Sequence, residues 1–274
     1  MDNLFGYQTG QTVFHRLTGS AKLIIFLLLT ISGVLSFDIR YLLLLTVVAL
    51  LGLWQARISW QRIRVIVILT VIFALLNLIL IYVFSPQYGV HLFGSQHLIL
   101  GSGPYALTQE QLLYEAMVLL KYLFSLPLAL IFLFTTNPSQ FSAGLNRIGV
   151  PYSVAYAVTI TLRYIPNTQR QFFMIKKVQE ARGYNISKKS SWTQKITGVV
   201  RILTTLIFST LDQIDEVTQA MELRRFGKGK KRSWYYEQSF GKLDTIALIL
   251  ALGFLALGIG LMVINQGRYW NPFA

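Results

Sequence analysis

The sequence predicts an all-α, polytopic integral membrane protein: a helix bundle of about five spans with a cytoplasmic coupling domain of amphipathic helices. Three observations carry that prediction. Hydrophobic residues make up 54% of the 274-residue chain and charged residues only 13%, against roughly 25% charged in a soluble domain, whose surface charge must cover. Uncharged apolar runs approach the length that crosses a bilayer. The basic excess, 25 Lys and Arg against 11 Asp and Glu, is concentrated between those runs, as cytoplasmic loops of membrane proteins require. A basic chain also suits nucleic acid, but the apolar runs argue against that partner. With no cysteine in the chain, disulfides, thiolate metal sites and a cysteine nucleophile are excluded.

The spans follow in order. Ala21–Phe37 and Ile39–Trp54 are separated only by Asp38 and read as a helical hairpin, with Arg40 snorkelling at its edge. Val65–Phe84 is uncharged, with one internal polar residue, Asn77. Leu112–Thr135 carries Glu115, Lys121 and Pro127. Lys121 is a charge in an apolar span, which either snorkels to the outer interface or pairs with another helix or subunit. Leu243–Ile264 completes the set, with small residues Ala247, Ala251, Ala256 and Gly260 suited to close helix packing in lipid. The first run has no small-residue cleavage site and reads as a span rather than a leader.

Charge sets the orientation. Arg57, Arg62 and Arg64 separate the second and third spans, Ser85–Gln111 has no Lys or Arg, and Thr136–Lys242 holds seventeen of the twenty-five basic residues. The positive-inside rule then places the N-terminus and Thr136–Lys242 in the cytoplasm and the C-terminus outside the cell (inner) membrane. The chain divides into membrane helices at 1–136, a cytoplasmic coupling domain at 137–242, and a last span with an external C-terminus at 243–274.

Within the cytoplasmic region, Asn137-Pro138 opens a short helix that ends near Gly149-Val150-Pro151. A second helix starts at Tyr152 and is kinked or restarted at Pro166, reaching Arg182 with Gly183 as its C-cap. In a third, Ile196, Val199, Leu203, Leu206, Ile207, Leu211, Ile214, Val217 and Met221 recur at helical steps, with Arg201, Asp212, Asp215, Gln219 and Glu222 off the stripe. The two long helices end alike, in Glu180-Ala181-Arg182-Gly183-Tyr184 and Glu222-Leu223-Arg224-Arg225-Phe226. Arginine at a helix C-terminus complements the partial negative charge there. It also presents a donor fork able to engage a partner's carboxylates or carbonyls.

Thr135-Thr136-Asn137-Pro138, Val150-Pro151-Tyr152, Leu162-Arg163-Tyr164-Ile165-Pro166 and Ala181-Arg182-Gly183, in this order and spacing, resemble the transmembrane T component of energy-coupling-factor (ECF) transporters. The resemblance covers most of the chain. It implies a membrane bundle interrupted by a coupling domain, whose two long helices each end in an arginine-centred motif docking on one of two ATP-binding-cassette ATPases. Carried over, those motifs are Ala181-Arg182-Gly183 and Leu223-Arg224-Arg225. Leu223 replaces the commoner small residue, so either Arg224 or Arg225 is the second docking side chain. His15-Arg16-Leu17 and Lys22 resemble the family's opening motif, but Thr18-Gly19-Ser20 replaces its Asp-Pro-Arg centre, and no role carries over to them.

The chain has no G-x-x-x-x-G-K-[ST] loop to cradle ATP phosphates. His15, His91 and His97 do not sit with acids at ligand spacing. Neither a metal nor a cofactor is expected. The Gly227–Arg232 basic run reads as a topology anchor attracted to anionic lipid. The expectation is therefore a non-enzymatic coupling subunit of an importer. It would link two ATPases to a membrane-embedded substrate-binding subunit for uptake of a vitamin, vitamin precursor or metal ion. A membrane-embedded lipid or isoprenoid enzyme, or a scaffold without a transport role, are the alternatives.

Overall fold

The computed structural model describes residue 10, residues 12–101, 103, 105–183, 191–227, 234 and 238–272. It is built almost wholly of helices, in two compact units: 1–144 with 238–274, and 145–237.

The first unit holds the apolar helices. After a single turn, α1 (Val13–Arg16), Thr18 caps α2 (Gly19–Leu35), its hydroxyl accepting from Ala21 N–H at 3.3 Å. Only three residues later Asp38 caps α3 (Ile39–Gln55) by accepting from Arg40 N–H at 3.0 Å, so the connection is as short as expected. The two do not pair with each other, however: α2 packs mainly on the helix Lys242–Ile264 and α3 mainly on the helix Gln109–Thr135. At seventeen residues each, α2 and α3 are at the lower limit for crossing a bilayer. The three helices α4 (Trp60–Phe84), α6 (Gln109–Thr135) and α10 (Lys242–Ile264) are long and apolar enough to cross outright. Between α4 and α6 lie a short helix, α5 (Tyr88–Phe93), and a hairpin of β1 (Leu98–Leu100) and β2 (Leu107–Thr108).

The core of this unit forms where α3, α6, α2 and α10 meet, around Tyr41, Leu42, Leu45, Met117 and Phe124. Close approach depends on missing side chains. A Cβ on Gly33 would lie 2.3 Å from the Phe124 ring, so only glycine lets α2 reach α6 there. Tyr41 and Ser32 hydrogen-bond through their hydroxyls, and Tyr41 donates to Phe254 C=O on α10 at 3.1 Å. By contrast α4 is apolar all round and buries only Ile63 and Ala74. In water such a helix would be unstable; lipid is the solvent that suits it.

α7 (Pro138–Arg147) follows α6 directly, Asn137 Oδ1 accepting from Ser139 N–H at 3.0 Å at its start. A Cβ on its Gly144 would lie 3.1 Å from the Ser20 backbone, so α7 approaches the start of α2 closely. The second unit is a pair of long helices, α8 (Tyr152–Ala181) and α9 (Trp192–Leu223). α8 runs through Pro166 without ending, although the missing N–H leaves one carbonyl without its helical partner. α9 begins with a capping box, Ser191 and Gln194 bonding each other's backbone N–H.

Candidate functional site: two arginine-capped helix ends

Arg182 occupies the C-cap of α8 and Arg224 the C-cap of α9, with φ −79° and −83° and ψ near zero in both. The residue after each is left-handed: Gly183 at φ +87° and Arg225 at φ +54°. A left-handed residue after the C-cap closes the last turn and satisfies its carbonyls. In α9 this closure is explicit, Phe226 N–H reaching back to Met221 C=O at 3.0 Å. The two ends are therefore superposable residue for residue, Arg182 matching Arg224 and Gly183 matching Arg225. Glycine takes that conformation freely, whereas Arg225 takes it against its own Cβ. Ala181, Arg182, Gly183, Leu223, Arg224 and Arg225 are all solvent-exposed. Tyr184, which completes the first ending, lies outside the described residues, as does Lys228–Arg232 of the basic run.

An aromatic cluster anchors the Arg224 end. The Phe226 ring lies 4.6 Å from that of Tyr156 and 6.0 Å from Tyr152, and Tyr152 lies 5.2 Å from Trp234. Trp234 in turn donates its indole N–H to Asn146 at 3.1 Å. The last turn of α9 is thus packed against the first turns of α8, so the helices run antiparallel. Between the two helices lies a groove of about 670 Å³, lined by Tyr156, Arg163 and Asn167 of α8, by Gln213 and Glu216 of α9 and by its C-cap Arg224. Antiparallel pairing sends Arg182 and Arg224 to opposite ends of the unit. With 1.5 Å of rise per residue they stand roughly 30–40 Å apart.

The apolar stripe of α9 is only partly used within the chain. Leu206 is buried, and so is Ile202, which the periodicity leaves off the stripe. Val217 and Met221 line the groove. Ile196, Val199, Leu203, Ile207, Leu211 and Ile214 remain exposed.

Several ionisable residues of the first unit have defined partners within it. Lys22 is buried and donates to Thr135 C=O at 2.6 Å. Asp244 is buried too, accepting from Thr18 N–H at 2.8 Å and Gly241 N–H at 2.9 Å. Together they clasp the starts of α2 and α10 to the end of α6, a role not visible in the sequence because Thr18 and Asp244 are 226 positions apart. Lys121 donates to Val34 C=O at the end of α2 at 2.8 Å and stands over the Phe37 ring, 3.1 Å from its centroid. Of the two readings of Lys121, this is pairing with another helix. His97 pairs with Glu110 through Nδ1 at 2.7 Å. His15 Nδ1 lies 2.6 Å from the Thr12 hydroxyl.

A bundle packed around the apolar helix α6, with the long apolar helices α4 and α10 left largely uncovered by the other described residues, defines a polytopic, all-α membrane protein. Comparison with known proteins makes that class particular: the chain belongs to the CbiQ family, described as cobalt transport protein, whose model matches residues 10–235. It is similar to the energy-coupling factor transporter transmembrane protein EcfT of Clostridium kluyveri, with 26% identity over 265 residues covering 92% of this chain and 94% of that protein. The protein of the same name from Bacillus selenitireducens is 28% identical over 272 residues, covering 91% of this chain and 93% of its own. That from Streptococcus equi is 28% identical over 275 residues, covering 95% of each.

Proposed function

We propose that this chain is the transmembrane coupling subunit of an energy-coupling-factor importer, taking up a vitamin, vitamin precursor or metal ion. It passes ATP-driven motion from two ATPase subunits to a membrane-embedded substrate-binding subunit. The N-terminus and the α8–α9 unit are cytoplasmic and the C-terminus is outside, as the loop charges require. The reading rests on one observation above all: two long helices end in the same exposed, arginine-centred cap, at opposite ends of one unit. Ends roughly 30–40 Å apart suit two separate sockets, one on each ATPase. Each guanidinium offers a planar fork of donors to a carboxylate or a carbonyl cluster. The uncovered stripe of α9 supports the second half of the reading, because an apolar face of that size asks for a hydrophobic partner. ATP hydrolysis belongs to the partner subunits.

The test is co-purification and uptake. Truncating one side of a buried charge-assisted contact costs about 2–5 kcal/mol, so Arg182→Ala or Arg224→Ala should each weaken ATPase docking roughly 30-fold or more. The double variant should insert in the membrane yet neither retain the ATPases nor support uptake. Normal retention and uptake in the double variant would refute the reading.

A further inference from the structure

We propose that the β1–β2 hairpin is an interfacial membrane anchor, its apolar first strand seated at the boundary of headgroups and acyl chains at the C-terminal end of α4. Leu98, Ile99 and Leu100 form β1 and are 58%, 47% and 74% exposed, and Tyr105 beside them is 62% exposed. Strand side chains alternate in direction, so Leu98 and Leu100 point to one side and Ile99 to the other. Neither side is covered by the rest of the chain. A lone two-stranded hairpin is marginal in water, and a run of exposed aliphatic side chains makes it more so.

Three observations identify lipid as what covers it. First, the hairpin continues the lipid-facing surface of the bundle. Tyr82, near the end of α4, donates its hydroxyl to Tyr105 C=O at 2.7 Å, and the exposed Ile79, Val83 and Phe84 of α4 lie alongside in sequence. Second, charge is kept away from it. The only charged residue in Ser85–Gln111 is Glu110, and that side chain is buried beneath the hairpin's base. There it accepts from His97 N–H at 3.0 Å and the Ser95 hydroxyl at 3.2 Å. Third, the outer edges of two short strands leave backbone groups unpaired, which hydrocarbon does not tolerate but a hydrated interface does. Tyrosines 82, 88 and 105 supply the amphipathic rings typical of that depth. A polar base pinned by Glu110 and an exposed apolar strand is the arrangement an interfacial anchor needs.

The chain lacks cysteine, so single cysteines report cleanly. Ile99→Cys and Leu100→Cys, each labelled with an environment-sensitive fluorophore in the full chain, are placed in phosphatidylcholine vesicles with and without bromine on the upper acyl chain. Phe84→Cys is the lipid-exposed reference, and Gln219→Cys, on the polar side of α9, is the aqueous one. Quenching at 99 and 100 close to that of position 84, and absent at 219, is the expected result. Either position alone decides, since both side chains are exposed and neither is needed for packing. No quenching at both overturns the proposal. Reaction with a charged thiol reagent would then mean that the strand stands in water, and protection from it that protein covers it.

Discussion

Replacing Arg225 by glycine separates the two registers that the second arginine motif allows. Arg225 sits at φ +54°, a conformation that costs an L-residue roughly 1–2 kcal/mol relative to the right-handed well. Glycine removes that strain but loses about 0.5–1 kcal/mol of chain entropy. Arg225→Gly should therefore leave the end of α9 unchanged or up to about 1.5 kcal/mol more stable. Its counterpart in α8 is already Gly183 at φ +87°. Arg224→Ala removes a cation from the helix terminus, a loss of only about 0.3–1 kcal/mol to the helix itself. If Arg224 is the docking side chain, its truncation also costs about 2–5 kcal/mol in the complex. The two substitutions then differ in opposite senses: Arg225→Gly keeps the dissociation constant for the ATPases, whereas Arg224→Ala raises it roughly 30-fold or more. Titration of immobilised, detergent-solubilised chain with purified ATPases reads both. An affinity loss with Arg225→Gly equal to that of Arg224→Ala would refute the backbone-matched register and move docking to Arg225.

Asp244→Ala should destabilise the membrane unit by about 1–3 kcal/mol, because it leaves the buried Thr18 N–H and the Gly241 N–H without their acceptor; thermal unfolding in detergent measures this, and an unchanged midpoint would remove the clasp from the account. Desolvation pushes Asp38 up, but hydrogen bonds from Arg40 and Asn265 outweigh it and hold its carboxyl below the usual range. Its contribution to stability is therefore complete above the unfolded pKa of about 4 and is lost as pH falls below it; Asp38→Asn should flatten that acid-side fall in unfolding midpoints. For orientation, Ser95→Cys should react with an impermeant thiol reagent in intact cells while Ser190→Cys does not, and the reverse pattern would invert the topology.

Legibility in this sequence followed how local each determinant is. The long spans were legible because lipid exposure demands apolar residues on every side, and α4 and α10 obey that demand without help from neighbours. Boundaries moved where a cap decided them. Thr18 starts α2 two residues before the apolar run, and α4 begins at Trp60, so its first turn includes the charged residues Arg62 and Arg64. Pro166 left two readings open because a proline's lost N–H does not by itself say whether the helix ends, and here α8 continues. The buried charges were illegible for a different reason. Lys22, Asp244 and Glu110 look like edge residues of apolar runs, and what buries them is backbone from elsewhere in the chain.

The α9 stripe marks the limit of periodicity as a guide. Helical spacing identifies an apolar face, but it is silent on whether that face is turned to its own chain. Of the stripe only Leu206 is buried, with Val217 and Met221 against the α8 groove, while six aliphatic side chains stay uncovered. The off-stripe Ile202 is the most buried residue of the helix. A face selected only to fold α9 onto α8 would have been consumed in doing so. A helix of thirty-two residues that buries only Ile202 and Leu206, with six aliphatic side chains of its stripe exposed, has an apolar face beyond what its own fold uses. Periodicity and burial therefore diverge on the helix whose end carries Arg224, on the face that the proposed hydrophobic partner would cover.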